Sequence, residues 1–361
     1  MVRIAIVMLG ACGFSPNTAV SDAPHDAPHD TPTIDASPHY RKQITLAVGS
    51  TIALTDLPVS IVTTDPDLAA HALADGSDIA MTLLDGTPLA REIVAFDKSS
   101  GSLEAWVRLP TVTATLDIYM TYGSAATQTT SVWSPAIYAA AWHLAEAGAG
   151  PWVDTAGGHM VTPASAMATA ATTPMGIVGA ARSFDGVDDT AGGPLQPDLS
   201  FASSSFSVEA WVNVTQSADG FDEVIDNGGD TNSPGYCFTL GTDNWLVELG
   251  DNNYTTASFG LEATMLGHWN QLTAVVDRSA NTVTTYTNGV RVQVASLGSI
   301  GSMASTKGFA IGTATPAYRF EGIVDEIRVV EVPLTSDWIA AEYRNSMMRS
   351  AFVTFGAEQP F

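Results

Sequence analysis

Alternating hydrophobic and polar positions run along this chain from about residue 40 to its end. From Phe206 to Val214, apolar side chains at every second position alternate with others such as Ser207 and Glu209. A period of two puts one set of side chains on each face of a strand, so this segment is predicted to be a half-buried β-strand. Similar segments, separated by residues that favour turns, predict a fold built almost entirely of strands.

A tight hairpin is predicted where Asn288-Gly289 separates two alternating segments, residues 282–287 and 290–294. Both residues of an Asn-Gly pair adopt positive φ at low cost, which a two-residue turn between twisted strands requires. These two strands are therefore predicted to be neighbours in one antiparallel sheet.

Two segments depart from the strand pattern and are predicted to be helical. One or two turns fall near residues 67–73, and a helix runs from about Ser336 to Met347, with the Thr335 hydroxyl placed to cap its first turn. The Ala-, Thr- and Ser-rich stretch 124–137 has the composition of a linker. The predicted fold class is all-β: two β-sandwich domains in tandem, with one short C-terminal helix.

The first residues look like a targeting signal rather than part of a folded domain. Arg3 precedes a short apolar run, and Leu9-Gly10-Ala11-Cys12 follows it. This resembles the lipobox of bacterial lipoproteins, which implies a signal over residues 1–12 and a lipid on Cys12. Gly13 after the cysteine, instead of an Asp that would indicate inner-membrane retention, favours the outer membrane of a Gram-negative bacterium. The alternative is a short secretory signal or a misplaced start, because the apolar run is short.

Residues 13–39 are predicted to be an extended tether. Ala23-Pro24-His25-Asp26 repeats as Ala27-Pro28-His29-Asp30, and the segment has frequent Pro and few large apolar residues. Its histidines could bind a metal, but without a fixed scaffold a solvated linker is the preferred interpretation.

The first predicted domain, residues 40–128, resembles the DUF2341 family of domains of unknown function. The resemblance rests on Tyr40-Arg41-Lys42 and on residues 54–59, 75–79, 103–110 and 118–123. It implies no chemistry. A linker over residues 129–138 is predicted to follow.

The second predicted domain, residues 139–358, resembles the LamG-like, concanavalin A-like lectin/glucanase jelly roll. The matching motifs occupy residues 141–144, 183–189, 206–212, 268–276, 286–289 and 320–329. The resemblance implies two packed antiparallel sheets, which agrees with the strand pattern.

The charge of the chain limits what it is expected to bind. There are 14 Lys and Arg against 38 Asp and Glu, which gives a formal net charge of −24. Such a field repels phosphate backbones, so nucleic acid is not an expected partner. Eight carboxylates lie between Asp219 and Asp251 with no basic residue among them. This favours cations, neutral sugars or basic partners, although acidic loops also keep a surface protein soluble. No apolar stretch is long enough to span a membrane, so contact with one is expected only through the lipid anchor.

One structural Ca²⁺ at the sandwich edge is implied by the lectin-like resemblance. The matching residues would be Asp154 and Asp325, with Asp185 nearby, because Ca²⁺ binds carboxylate and carbonyl oxygens. Ala156 stands where the family pattern has Ser, so this loop departs from that pattern. The alternative is that Asp185 and Asp325 accept hydrogen bonds from backbone amides.

A glycan site is predicted on three loops of the second domain, where aromatic, amide and carboxylate side chains occur together. The candidate residues are Asp230, Asn232, Asn244, Trp245, Asp251, Asn253 and Tyr254. The alternative is that these are solvated turns and that Trp245 belongs to the core.

Catalysis is not expected. Retaining glycosidases need two carboxyl groups about 5 Å apart, and the glucanases that this domain resembles place them on a Glu-x-Asp-x-Glu strand that is absent here. Asp325-Glu326 is an adjacent pair, which a regular strand would point to opposite faces. Cys237 is expected to be a buried, inert thiol, because a thiolate would need a basic neighbourhood.

The tryptophans in strand motifs are expected to serve packing rather than ligand binding. They are Trp106, Trp142, Trp211 and Trp269.

These features together predict a non-catalytic cell-surface lipoprotein whose second domain binds a carbohydrate or protein ligand. Its place would be the cell envelope of a Gram-negative bacterium, at the outer membrane or the extracellular surface. One alternative is a purely structural envelope or adhesion component. The other is a glycan-cleaving enzyme, for which Glu209 and Asp325 would be the first residues to substitute.

Overall fold

The computed structural model describes residues 39–124, 131–146, 150–164, 167, 172–173, 176–215, 221–229, 233–241, 243–313 and 318–361. The predictions for Cys12, for the tether up to residue 38, and for Asp230 and Asn232 lie outside these residues. From residue 39 onward the described residues belong to one compact unit. Among them, no helix has the length and apolar character needed to cross a bilayer.

Two antiparallel sheets form the first sandwich. Its strands are β1 Tyr40–Leu46, β2 Leu57–Thr64, β3 Ala80–Leu83, β4 Pro88–Leu89, β5 Arg91–Asp97, β6 Ser102–Leu109 and β7 Leu116–Tyr122, with helix α1 Pro66–His71 after β2. One sheet contains β1-β7-β3-β4 and the other β2-β6-β5. Helix α1 confirms the predicted helical turns, and the Asp65 carboxylate caps it by accepting a hydrogen bond from the Asp67 backbone N–H.

Two larger antiparallel sheets form the second sandwich. The strands are β8 Tyr138–Trp142, β9 Trp152–Val153, β10 Met160–Pro163, β11 Thr172–Thr173, β12 Ala181–Asp185, β13 Ala191–Gly192, β14 Phe206–Val214, β15 Glu223–Asn227, β16 Gly235–Leu240, β17 Asn244–Gly250, β18 Tyr254–Leu261, β19 Trp269–Asp277, β20 Thr282–Thr287, β21 Val290–Ser296, β22 Ala310–Ile311 and β23 Glu321–Val330. One sheet has the order β18-β17-β16-β15-β22-β13-β10-β9. The other has the order β11-β12-β23-β14-β19-β20-β21, and β8 also pairs with β23. The all-β class and the jelly-roll arrangement are confirmed.

The predicted hairpin and C-terminal helix are both present. Asn288 and Gly289 join β20 to β21 with φ values of 54° and 76°. Helix α2 spans Ser336–Met347, and the Thr335 hydroxyl accepts a hydrogen bond from the Trp338 backbone N–H at 3.3 Å. A further short helix, α3 Arg349–Phe352, follows it and was not predicted.

Strand β14 is buried on both faces, whereas its alternation predicted burial on one. Phe206 and Val208 point into the sandwich core, and Ser207, Glu209 and Trp211 are also buried. Trp211 stacks on Tyr343 of α2 with ring centroids 6.0 Å apart. The polar face is therefore covered by other parts of the same chain, which alternation along a single strand does not reveal.

The end of the chain returns to the first sandwich. Strands β24 Val353–Phe355 and β25 Gln359–Pro360 both pair with β1. The Glu358 carboxylate accepts a hydrogen bond from the Tyr122 hydroxyl at 2.7 Å and lies 2.9 Å from His71 Nδ1. The predicted boundaries at residues 40–128 and 139–358 place β24 and Glu358 in the second domain and β25 outside both, but the sheet partner of both strands is in the first.

Helix α2 also closes an open edge of the first sandwich. The Asn345 side chain accepts a hydrogen bond from the Ser60 backbone N–H at 2.6 Å and donates one to the Ser60 carbonyl at 2.9 Å. A side-chain amide thus supplies β2 with the two bonds that a neighbouring strand would make.

Candidate functional site

Buried charges meet where the two sandwiches pack together. The Arg328 guanidinium on β23 donates to Glu326 at 3.0 Å and to Glu342 of α2 at 3.1 Å, and it lies 3.9 Å from Glu209 on β14. All four side chains are at most 3% exposed. We call these residues, with His143 and Glu92, the seam cluster.

His143 extends the seam cluster towards the first sandwich. Its Nδ1 lies 2.8 Å from Glu326 and its Nε2 lies 3.5 Å from Glu92 on β5. Burial alone lowers the pKa of His143, but the charge and hydrogen bond of Glu326, together with those of Glu92, raise it to about 10. The imidazole is therefore a cation at neutral pH.

Two tryptophans from the first sandwich and its linker enclose these cations. The Arg328 guanidinium lies 4.7 Å from the ring centroid of Trp106 and 5.2 Å from that of Trp133. The Trp133 ring N–H donates to Glu92 at 2.8 Å. Aromatic faces favour desolvated cations, so the rings stabilise charges that burial would otherwise penalise. As predicted, Trp106 serves packing.

Strand β23 is irregular at Asp325 and Glu326. Glu326 has a φ of 47°, in the left-handed region, and the pairing of β14 with β23 shifts between Glu209 and Trp211. The prediction that adjacent carboxylates point to opposite faces assumed a regular strand, which this φ value interrupts, and both side chains are buried. Asp325 accepts hydrogen bonds from the backbone N–H groups of Ile177 and Val178.

Asp154, the first predicted calcium ligand, already has five hydrogen-bond donors. It accepts from the backbone N–H groups of Ala141, Ala156, Gly157 and His159, and the His159 Nδ1 lies 2.6 Å away. Its side chain is fully buried. N–H groups aimed at both carboxylate oxygens stabilise an anion and leave no free oxygen for a cation.

Asp185 and Asp325 also accept hydrogen bonds from backbone N–H groups, each from a different segment of the chain. Asp185 accepts from the backbone N–H of Val187 at 2.8 Å in an exposed turn. It lies in a group with Asp188 and Asp189 whose oxygens are within 4.8 Å of one another. The contacts of Asp185 and Asp325 agree with the backbone-amide alternative, Asp154 has contacts of the same kind, and the calcium site stays a prediction.

The described members of the predicted glycan site lie at two ends of one hairpin. Asn244 and Trp245 begin β17, and Asp251 follows its end, roughly 20 Å along the strand at 3.3 Å per residue. Trp245 is fully buried and packs on Phe320, so its ring serves the core, as the alternative interpretation held. Asn253 is held by Asp251 in the turn before β18.

Tyr254 lies beside acidic residues on the outer face of the eight-stranded sheet. Asp226, Cys237, Glu248 and Thr256 are successive cross-strand partners on β15 to β18. The Tyr254 hydroxyl donates to the Glu248 carboxylate, while the residue stays 42% exposed. We call Glu223, Asp226, Glu248 and Tyr254 the acidic face. Sequence reasoning noticed its charge but assigned the site to loops.

Carboxyl groups at and next to the acidic face hold protons near neutral pH. Burial and the charge of Asp226 raise the pKa of Glu223 to about 7. Burial and the charge of Glu262 raise that of neighbouring Asp222 to about 7 as well. A carboxyl group that is partly protonated both donates and accepts hydrogen bonds, which suits a ligand with hydroxyl groups.

Cys237 lies between Asp226 and Glu248 in the cross-strand row. It is a buried free thiol, as predicted. Burial and the charge of Glu248 raise its pKa well above the ordinary value. The thiolate that reactive cysteines need is therefore disfavoured.

Comparison with known proteins supports the fold of the second sandwich. Residues 188–340 match the model of the concanavalin A-like lectin/glucanases superfamily. No curated protein matches the chain by sequence.

Solved structures with a similar fold include toxin binding domains. The receptor binding domain of botulinum neurotoxin D matches with a TM-score of 0.50 and 13% identity, over 60% of this chain and 54% of that chain. The botulinum neurotoxin serotype D binding domain matches with a TM-score of 0.50 and 14% identity, over 60% and 52%. The match thus spans just over half the length of these structures, and identity this low shows a shared fold alone.

The seam cluster predicts a pH dependence of stability. A histidine whose pKa rises from an ordinary 6.5 to about 10 on folding binds its proton more tightly in the folded state. The stability it adds is fully present below about pH 6.5 and is lost as the pH rises through about 10. Urea unfolding across this range should therefore show a steeper decline for the wild type than for His143→Gln.

Other groups titrate in both proteins, so the difference between the two curves isolates His143. Parallel curves would contradict a charged His143 in the seam cluster.

Proposed function

We propose that the second sandwich is a non-catalytic binding module that takes a carbohydrate or protein ligand on the acidic face. The observation that carries the proposal is the exposed ring of Tyr254, which the carboxylate of Glu248 holds in place. A fixed aromatic face beside hydrogen-bonding groups is the combination that sugar rings and protein loops both use.

The charge of the face selects among ligands. The Asp226 carboxylate lies 3.6 Å from Lys307 Nζ, and the chain as a whole carries a net charge of −24. Carboxylates repel anionic polymers, so neutral or amino sugars and basic protein loops are the favoured ligands. The similar fold of the neurotoxin receptor binding domains gives fold-level support for a binding role.

Asp226 and Glu248 of the acidic face lie on strands that are not direct neighbours in the sheet. Strand β16 lies between Asp226 and Glu248, so their backbones are two strand spacings, about 9.6 Å, apart. Retaining chemistry needs carboxyl groups about 5 Å apart. An assay for new reducing ends on every glycan that binds would distinguish cleavage from binding.

We further propose that this module is displayed at the envelope surface of a Gram-negative bacterium by a lipid on Cys12. The lipobox-like sequence before Cys12 and the Pro-rich tether support this placement. Metabolic labelling with a fatty acid should mark the wild-type protein, and Cys12→Ser should abolish the label. Equal labelling of both proteins would overturn the anchor.

Glycan-array and calorimetric titration experiments test the binding site. Tyr254→Ala should weaken binding of any hit by about tenfold, close to 1.4 kcal/mol, because the aromatic contact is lost. Tyr254→Phe should keep most of the affinity, since it keeps the aromatic ring and removes the hydroxyl that bonds to Glu248. Leu261→Ala is the matched control, because this residue is 54% exposed at the other end of the same strand.

The titrations should be run with EDTA and again with Ca²⁺. Equal affinity in both is expected, because N–H donors occupy both oxygens of Asp154, the first predicted calcium ligand. An array and a pull-down that stay blank under both conditions would favour the purely structural alternative.

A further inference from the structure

A lysine occupies a core position of strand β1 in the first sandwich. Lys42 shares the buried face of this strand with Ile44 and Leu46, and the residue is only 6% exposed. Lysine is rarely buried unless its charge is paired, because removing an ammonium group from water costs free energy. The groups around its Nζ atom therefore decide what this lysine does.

Two carboxylates at the start of helix α1 surround Lys42 Nζ. It lies 2.5 Å from Asp65 Oδ2 and 2.7 Å from Asp67 Oδ2. The side chains of Lys42 and Asp65 are each 8% exposed, and that of Asp67 is 38% exposed. Burial lowers the pKa of Lys42, but the hydrogen bonds and charges of Asp65 and Asp67 raise it overall. The group therefore starts as an ion pair.

An ammonium group has more donors than this pocket uses. It carries three N–H bonds, whereas the contacts of Lys42 Nζ within the described residues go to Asp65 and Asp67. A donor left without an acceptor in a buried place is destabilising. An amide nitrogen between Lys42 and Asp65 would carry a single N–H, and the Asp67 carboxylate lies where it can accept that bond.

Backbone hydrogen bonds hold both side chains in position. Lys42 is paired with Met120 of β7. The Asp65 backbone N–H donates to the Gly101 carbonyl at 3.0 Å, and the Asp65 carbonyl accepts from the Ala69 N–H at 3.1 Å. Since a C–O bond measures about 1.23 Å, Asp65 Cγ lies at most about 3.7 Å from Lys42 Nζ. Two groups fixed this close to each other react as if they were highly concentrated.

We propose that Lys42 and Asp65 condense to form an isopeptide bond, which joins the two sheets of the first sandwich covalently. One proton passes from the ammonium group to Asp65 Oδ2, and Nζ then attacks Cγ. The Nζ–Cγ bond forms and the Cγ–Oδ2 bond breaks. Of the three ammonium protons, one stays on the amide nitrogen and two leave with Oδ2 as water. The step therefore needs no oxidant, reductant or further reactant.

Asp67 assists this condensation in two ways. Its carboxylate, 2.7 Å from Nζ, accepts a proton from the attacking nitrogen and passes it to the leaving oxygen. Its backbone N–H donates to Asp65 Oδ1 at 3.0 Å, where negative charge develops in the tetrahedral intermediate. Oδ1 becomes the amide oxygen, so the hydrogen bond that caps α1 is kept in the product.

The cross-link reinforces the sandwich at the strand that follows the predicted tether. Lys42 is the third residue of β1, and Asp65 directly follows β2 in the other sheet. Force applied from the N-terminal side passes through the new bond to Asp65 before it reaches the rest of β1. The proposal does not depend on the acidic face or on its ligand.

Mass spectrometry of the folded full chain tests the bond. The wild type should be lighter than its sequence by one water, and chymotryptic mapping should recover the peptides that contain Lys42 and Asp65 as one branched species. Lys42→Arg keeps the positive charge but not a nucleophilic amine, so it should give two separate peptides. Asp67→Asn should slow bond formation about a hundredfold or more, because the proton acceptor is lost.

Lys98→Arg is the matched control, because Lys98 also lies beside α1 but donates to the Leu68 carbonyl at 3.3 Å. It should form the bond like the wild type. A wild type that keeps its full sequence mass and separate peptides after prolonged incubation in the folded state would overturn the proposal, whether or not the variants fold.

A loss of water that Lys42→Arg retains would also overturn it. A succinimide at Asp85-Gly86, for example, loses one water but leaves the two peptides separate. Bond formation in Asp67→Asn at the wild-type rate would contradict the role given to Asp67.

Discussion

The burial of charge at the seam between the sandwiches constrains the rest of this structure. Arg328 and His143 are buried cations that need Glu326, Glu209, Glu342 and Glu92 as partners. A buried charge that loses its partner costs several kcal/mol, roughly 3–5, so these groups tolerate burial only together. Because they come from the first sandwich, the second sandwich and helix α2, all three must dock in one arrangement.

This constraint explains where sequence reasoning succeeded and where it failed. Local signals predicted the β20–β21 turn at Asn288-Gly289 and the helix capped by Thr335, because short-range backbone geometry decides both. The second buried face of β14 depends on α2, which lies far along the chain. A signal for the seam was nevertheless present, since Asp325, Glu326 and Arg328 interrupt the apolar residues of β23.

In the candidate site, too, some features follow from the local sequence and others depend on contacts between distant segments. The cluster of acidic residues was visible in the sequence, but the position of these residues on one face of a sheet depends on strand register. Asp226 and Glu248 share a cross-strand row because β15, β16 and β17 are neighbours. Tyr254 joins them at the start of β18, whereas Trp245 faces the core. Side chains that looked equivalent in the loops are thus separated by the pleat of the sheet.

We infer that the seam makes the two sandwiches one cooperative unit. Differential scanning calorimetry of the wild type and of Arg328→Met tests it most directly. We expect a single wild-type transition whose calorimetric and van't Hoff enthalpies agree, and a variant that unfolds at lower temperature because Glu209 and Glu342 lose their cation and Glu326 keeps only His143. Two separate wild-type transitions, with only one of them sensitive to Arg328→Met, would contradict it.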